Sequence, residues 1–350
     1  VDPGDIEPTV TAPFTISRSD KIATAGSCFA QHIAKRLKQS GYTYFVTEDA
    51  PPGVSPEILT RFNYGVFSAR YGNIYTARQL LQLLRRVRGQ WEPAEAPWHS
   101  EGRWLDPFRP FIQPRGFASE AELSQDRQQH NLAILNMLES ADIFVFTMGL
   151  TEAWRSKIDG AVFPGCPGCS AGEFDSDKYE FYNADYEDII ADMRMFISEV
   201  REINPDLKFI FTVSPVPLIA TATEDHVLTA TTYSKSVLRA VAGKLASEHR
   251  GVSYFPSYEI ITCQANRGRY YAPDLRSVLE TGVDHVMRVF FNTFCGSSGQ
   301  KSPGEKLVSI GSAPSPKRVS ESDREERDFL AAASLVCDEE RLVATQRARA

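Results

Sequence analysis

Apolar residues along the chain follow two alternating patterns. Short runs in which nearly every position is apolar have the length and composition of strands buried on both faces. They are Ile22-Ala-Thr-Ala25, Asp142-Ile-Phe-Val-Phe-Thr-Met148, Lys208-Phe-Ile-Phe-Thr-Val213 and Val252-Ser-Tyr-Phe255. Between them lie stretches with helical spacing. Phe29, Ile33 and Leu37 form one stripe, and a helix capped by Thr76 runs to about Arg88. A long amphipathic helix follows over 119–140, and others span Tyr186 to Ile203, Thr232 to His249 and Thr281 to Asn292. Tyr42-Thr-Tyr-Phe-Val46 has strand composition and belongs beside the first strand. This succession predicts a three-layer α/β/α domain around a central parallel sheet of about five strands.

Residues 1–18, rich in Pro, Thr and Asp, read as an arm laid over the surface of a domain spanning 19–297. Arg61 to Tyr75 holds five aromatics without a clean period, as a structured surface loop does. Residues 89–118 carry Trp91, Trp98 and Trp104 and read as an irregular excursion with the character of a lid. Beyond residue 297 the composition shifts to Gly, Ser, Lys, Pro and Glu, a disordered tail over 298–350 with a marginal helix between Arg327 and Leu342.

With 350 residues, 42% of them hydrophobic, the chain can bury a large core. A net charge of -7 argues against a general nucleic-acid or membrane-surface binder. No apolar run approaches the roughly 18 residues of a membrane span. Six scattered cysteines form no disulfide framework, so a reducing, cytoplasmic setting is expected. Position 1 is Val rather than Met, which leaves room for a segment removed upstream. No cofactor or metal site is implied.

Ligands of an open parallel sheet bind outside the carboxyl ends of its strands. That rule gathers Ser27 and Cys28 after the first strand and Thr151 and Glu152 after the third. It adds the loop from Ser214 to His226, then Tyr258, Glu259 and the 262–279 loop. A strand feeding a helix through Gly26-Ser27-Cys28 exposes two nucleophile-capable side chains, and the helix N-terminus favours a Cys28 thiolate. A nucleophile, bases and hydrogen-bond donors converging at one edge suit acyl transfer.

Gly26-Ser-Cys-Phe-Ala30 resembles the signature of the GSCFA domain family, placed with the SGNH (GDSL-like) esterases and acyltransferases. Asn63-Tyr-Gly65, Asp106-Pro-Phe-Arg-Pro110, Gly149-Leu-Thr-Glu-Ala-Trp154, Ser214-Pro-Val216, Tyr233-Ser-Lys-Ser236 and Tyr254-Phe-Pro-Ser-Tyr-Glu-Ile260 also resemble that family, over roughly residues 14–295. The resemblance implies an SGNH/flavodoxin-like fold, with Cys28 in the nucleophile slot and Ser27 in the slot of the superfamily's Asp. It makes Gly65 or Gly72 an oxyanion donor and Thr151 the replacement for the oxyanion-hole Asn. Asn63 and Glu152 come with the matched blocks. The superfamily's Asp-x-x-His block resembles Asp274-Leu-Arg-Ser277, with Ser277 where the base belongs. A serine is no general base at neutral pH. Either another histidine took over the proton, or the chain kept the scaffold and lost the chemistry.

Of six histidines, His226 lies in the loop after the fourth strand, on the functional edge, and is the first choice as base. His285 sits near the fifth block but would have to point back over a turn. His32 reads as packing beside Phe29 or facing solvent, His99 could close over a substrate, and His130 and His249 read as ordinary surface positions. Cys166-Pro-Gly-Cys169 has metal or redox spacing without a second ligand pair or a redox fold context. Arg109 could fork onto a substrate carboxylate or phosphate, or brace its own loop.

The expectation is therefore an acyl esterase or O-acyltransferase. Cys28 or Ser27 attacks, His226 moves the proton with Asp274 or Glu152 orienting it, and Gly65 and Thr151 hold the oxyanion. An acylated carbohydrate is the substrate class that the resemblance implies. The competing expectation is a non-catalytic carbohydrate or small-ligand binding module, with the aromatics of 61–75 and 91–108 as stacking surfaces.

Overall fold

The computed structural model describes residues 3–296, Thr9 and Ser170 excepted, so the expected tail and its marginal helix lie outside the described residues. In chain order come β1 (Ile22–Gly26), α1 (Phe29–Gln39), α2 (Pro56–Arg61), α3 (Ala77–Val87), β2 (Trp98–Ser100), β3 (Arg103–Leu105) and α4 (Glu120–Ser140). There follow β4 (Ile143–Met148), β5 (Glu152–Ser156), β6 (Val162–Phe163), β7 (Tyr179–Asn183), α5 (Tyr186–Ile203) and β8 (Lys208–Val213). The last are α6 (Val227–Glu248), β9 (Val252–Phe255), α7 (Ser257–Thr262) and α8 (Glu280–Phe294).

The central sheet has the order β1-β4-β8-β9, every pair parallel. Alternation along the strands divides the core in two. Phe144, Phe146 and Met148 face one side with Phe209, Phe211 and Val213, under α3, α4, α5 and α6. Ile143, Val145 and Ile210 face the other, under α1, α7 and α8. These are the three layers that the apolar runs predict. The arm follows α8: Ile16 N–H donates to Phe294 O at 2.7 Å, and Ile6 O bonds His285 Nε2 at 2.8 Å.

The fifth strand is reduced to a single parallel bridge, Ile22 to Tyr44. Ile22 exchanges bonds with Thr43 O and Phe45 N–H, but the ladder goes no further. Beyond that point Thr24 N–H donates to Ser68 Oγ at 2.9 Å, Tyr71 Oη–H donates to Thr24 O, and Ile74 N–H donates to Gly26 O at 2.9 Å. The segment read as a surface loop is thus the seal on the open edge of β1, and Phe67, Ser68, Arg70, Tyr71, Asn73 and Tyr75 are buried. Each backbone group of a buried edge left unpaired would cost about 1–3 kcal/mol, which is what the loop side chains prevent.

A second, antiparallel sheet, β6-β5-β7, has no counterpart in the sequence reading. Its strands are short and interrupted by the Gly/Pro/Cys-rich loop, so no period develops. The Trp-rich excursion packs on this sheet, with Trp98 against Phe163 and Phe108 stacked on Phe163 at 5.5 Å, rather than standing free as a lid. Helix α6 begins five residues before Thr232, at Val227, because His226 caps it.

At the carboxyl end of β1, Gly26 pairs with Thr147 at φ 137°, and a Cβ there would sit 2.4 Å from Thr147 O. Both the backbone conformation and the close approach require glycine. Gly26→Ala is expected to cost about 3 kcal/mol or more of unfolding free energy. Urea denaturation measures it, and a loss below about 0.5 kcal/mol, the scatter of surface substitutions, would contradict the close approach.

Candidate functional site

With the Tyr44 bridge counted, the sheet runs outward from β1 in both directions, so the chain reverses between β1 and β4. A crevice outside the carboxyl ends at such a reversal is where open α/β sheets bind ligands. Gly26-Ser27-Cys28 and Gly149-Leu150-Thr151 stand there. Ser27 N–H continues the β1–β4 pairing onto Thr147 O at 3.1 Å, and a Cβ on Gly149 would lie 3.0 Å from Ser27 Cβ. Small residues on both sides let the two turns touch.

The turns are occluded rather than exposed: Ser27 is 3% and Cys28 5% accessible. Residues 73–75 close over them, with Tyr75 O accepting from both Gly149 N–H and Leu150 N–H. Three buried hydroxyls at this end of β1 and β4, Ser27 Oγ, Thr147 Oγ1 and Thr151 Oγ1, have no hydrogen-bond partner among the described residues. Buried polar groups are rarely left so, and a cluster of them calls for a ligand, a water or a reacting group. The backbone N–H groups of Cys28 and Phe29 open α1 without an acceptor among the described bonds. They point the positive end of the helix dipole into the same place.

Helix α6 supports the β4 turn. Ser234 Oγ accepts from Thr151 N–H at 3.1 Å, and the buried Lys235 Nζ donates to Gly149 O at 2.7 Å. This is the work of the Tyr233-Ser-Lys-Ser236 block, a role no spacing rule announces. Asn73, missed by the sequence reading, is buried beside the turn, and its Oδ1 accepts from Gln31 Nε2 at 3.4 Å.

The remaining sequence candidates go elsewhere. Gly65 is no oxyanion donor to this turn. Its carbonyl accepts from Lys38 Nζ at 2.6 Å, near the far end of α1, and ten residues of helix separate that end from Cys28 by roughly 15 Å. Gly72, the other candidate, immediately precedes Asn73. Asn63 sits at φ 59° in a turn and donates to Phe111 O at 3.3 Å. Arg109 is buried and holds Asp106 at 2.9 Å and Asp126 at 2.7 Å, so it braces its own loop. Glu152 accepts from Thr221 Oγ1 at 2.7 Å and pins the 217–223 loop.

His226 is exposed, and its Nδ1 accepts from Leu228 N–H at 3.2 Å to cap α6. No hydrogen bond joins it to Ser27 or Cys28 among the described residues. Asp274 accepts from Ser277 and from the Arg276 N–H. Those bonds outweigh its burial and hold its carboxyl below the usual range. Asp274 thus closes a local turn and orients no histidine. His285 has both ring nitrogens engaged, Nδ1 with Tyr270 Oη at 2.7 Å and Nε2 with Ile6 O. His249 caps the end of α6, and His99 meets Trp104 edge-on. His130, read as a surface position, is buried.

The histidine placed closest to the turn by helix geometry is His32. Cys28 has helical φ and ψ, so His32, four residues on, shares its face of α1. Helical side chains lean toward the N-terminus, and the His32 ring does so, lying 5.5 Å from the Phe29 ring. No hydrogen bond joins it to Cys28 in this state. Burial, reinforced by Lys35 and Arg36, lowers its pKa to about 4, so at neutral pH the imidazole is uncharged and able to take a proton.

Beside the turn, between the antiparallel sheet and the loops that carry Tyr75, Leu150 and Leu218, lies a cleft of about 270 Å³. Tyr75, Leu150, Trp154, Phe163, Phe181 and Leu218 give it an apolar lining, with Cys166 and Cys169 also on its wall. Burial and the neighbouring Cys169 push the Cys166 thiol up to about 12, so it is protonated at neutral pH and unsuited to nucleophilic work. No group of three or more His, Cys, Asp or Glu side chains that could hold a metal occurs among the described residues. No helix among them is long and apolar enough to cross a membrane.

The low pKa of His32 makes stability depend on pH. Its folded pKa lies below the unfolded value of 6.5, so the unfolded chain binds the extra proton between pH 6.5 and about 4. Stability from this group is complete above that window and falls as pH drops through it. From pH 7 to about 4.5, wild type is expected to lose roughly 2 kcal/mol more than His32→Gln in urea unfolding. Equal losses in the two proteins would contradict a buried, neutral His32.

Comparison with curated proteins finds no match. The family described as GSCFA family matches residues 21–290, well over half of the chain, from β1 into the last turns of α8. The chain belongs to the GSCFA family.

Proposed function

We propose that this chain is an acyl esterase or O-acyltransferase of the SGNH-like kind, acting on an acylated carbohydrate through the Gly26-Ser27-Cys28 turn. The observation that carries this reading is the cluster of buried, unpartnered hydroxyls at Ser27, Thr147 and Thr151 beside the free N–H groups that open α1. In the proposed cycle, Cys28 Sγ or Ser27 Oγ bonds to the acyl carbon and His32 takes the proton. The N–H groups of Cys28 and Phe29, with the Thr151 hydroxyl, stabilise the oxyanion. The carbon–oxygen bond of the ester then breaks, and His32 returns the proton to the leaving alcohol. Water or a sugar hydroxyl repeats the sequence in reverse to release the acyl group. The apolar cleft beside Tyr75 and Leu150 suits the acyl portion. The free thiols Cys28, Cys166, Cys169, Cys263 and Cys295 suit a reducing, cytoplasmic setting.

One observation favours a non-catalytic binding module instead. The turn is nearly inaccessible, and no histidine is hydrogen-bonded to it. The stacking surfaces expected of such a module are partly consumed, since Phe67, Tyr71, Tyr75 and Trp98 are buried while Phe62, Tyr64, Trp91, Trp104 and Phe108 are half-buried. Trp154, half-buried at the apolar cleft, is a further aromatic in position.

Intact-mass measurement after incubation with para-nitrophenyl acetate separates the two readings. The acyl-transfer reading predicts an acetyl adduct on wild type that is absent from either Cys28→Ala or Ser27→Ala. It also predicts that His32→Gln slows adduct formation by about 100-fold or more. His226→Ala is expected to lose about 1 kcal/mol of stability with its cap and to form the adduct normally. An adduct formed equally in both turn variants, or none in wild type, would sink the acyl-transfer reading.

A further inference from the structure

The Asp106–Pro110 segment takes no part in the site above, yet it anchors the densest charge network in the described structure. Arg109 pairs with Asp106 and Asp126, Arg127 with Asp106 at 2.8 Å, and Arg70 with Glu48 and Asp126 at 3.5 and 3.0 Å. Arg86 completes the group of guanidiniums and makes no ion pair of its own among the described residues. It lies over the Phe108 ring at 4.5 Å, and its Nε is buried without an acceptor. Four guanidiniums thus meet three carboxylates within the network.

The network opens onto a cavity of about 530 Å³ lined by Arg86, Arg109, Arg127, His130, Asp106 and Trp91. Three buried polar atoms of these lining residues have no partner: Arg86 Nε, Arg127 Nε and His130 Nε2. His130 Nδ1 lies 2.7 Å from Glu48 Oε2. Burial and the charge of Arg109 lower the His130 pKa to about 4 against the opposing pull of Glu48. The neutral ring therefore keeps its proton on Nδ1, towards Glu48, and presents a lone pair at Nε2. Two orphaned guanidinium donors and one orphaned acceptor thus belong to the walls of a single cavity. Three further acidic groups, Glu92, Glu95 and Glu120, share its walls. Glu95 accepts from Trp98 Nε1 and Tyr179 Oη, while Glu92 and Glu120 are exposed to solvent.

We propose that this cavity binds an oxyanion, carboxylate or phosphoryl, carried on a hydroxylated body such as a sugar acid or sugar phosphate. Arg86 and Arg127 donate to the anion, and His130 Nε2 accepts from a ligand hydroxyl. The anion supplies the acceptor that the two guanidinium Nε groups lack, and the hydroxyl supplies the donor that His130 Nε2 lacks. Leaving such groups buried and unpaired is costly, so binding recovers free energy that the empty site forfeits. The site stands independently of whether the Gly26-Ser27-Cys28 turn transfers acyl groups.

Calorimetric titration of the full chain with glucuronate, glucose 6-phosphate and neutral glucose tests this at low ionic strength, where charge recognition is least screened. At least one acid is expected to bind about tenfold or more tighter than glucose, and the arm that binds identifies carboxylate or phosphoryl as the source. Arg86→Gln is expected to weaken that acid about tenfold or more, with glucose unchanged. A wild-type experiment guards against a variant that fails to fold: phenylglyoxal labelling mapped by mass, with and without the acid. Protection of Arg86 by the acid is the expected result. The proposal is overturned if both acids bind no tighter than glucose, if Arg86 is labelled equally with and without acid, or if a folded Arg86→Gln binds as wild type.

Discussion

Everything at the carboxyl edge depends on how closely β1 approaches β4. Gly26 and Thr147 meet with no room for a side chain, and Ser27 and Gly149 touch one residue further along. The contact draws the start of α1 and the end of β4 into one crevice, where a hydroxyl, a thiol and unpaired N–H groups share a few ångströms. A larger residue at either glycine would part the turns and leave two separate strand ends. The same closeness explains why the crevice is occluded. With small side chains on both walls, Tyr75 and its neighbours close over the turn.

The seal on the outer edge of β1 is the second constraint. A parallel sheet needs both its edges managed, and here one edge is closed by Ser68, Tyr71 and Ile74 instead of a full strand. Because Ile74 bonds Gly26 and Tyr75 bonds Gly149 and Leu150, the sealing segment also forms the roof of the crevice. Access to the turn and integrity of the sheet edge are therefore coupled through residues 68–75. On the other side, Ser234 and Lys235 clamp the β4 turn from α6, so both walls of the crevice are held by elements distant in sequence.

What the sequence made legible follows from which interactions are local. Ile143 to Met148 and Lys208 to Val213 are buried on both faces, so their apolar runs announced the sheet. Phe29, Ile33 and Leu37 announced α1 by period alone. The turn between was legible too, because strand, glycine and helix adjoin in the chain. The partners of the turn were not. Gly65 resembled an oxyanion donor, but its position depends on Lys38 across the end of α1. His226 lay on the right edge by topology, yet its ring nitrogen was claimed by the first turn of its own helix. His32 looked like packing because apolar neighbours surround it; that burial keeps it neutral, and a proton acceptor must be neutral to act. The buried charge of Arg70, Arg86, Arg109 and Arg127 was hidden for the same reason, since four arginines spread over some sixty residues show no spacing signal.

The central claim is that the turn at the head of α1 becomes acylated. Peptide mapping of wild-type protein, quenched in acid after exposure to one equivalent of an activated ester, tests it most directly. The account predicts the acyl group on Ser27 or Cys28, within the peptide that begins in β1. An acyl group spread over surface lysines, with the turn peptide unmodified, would contradict it.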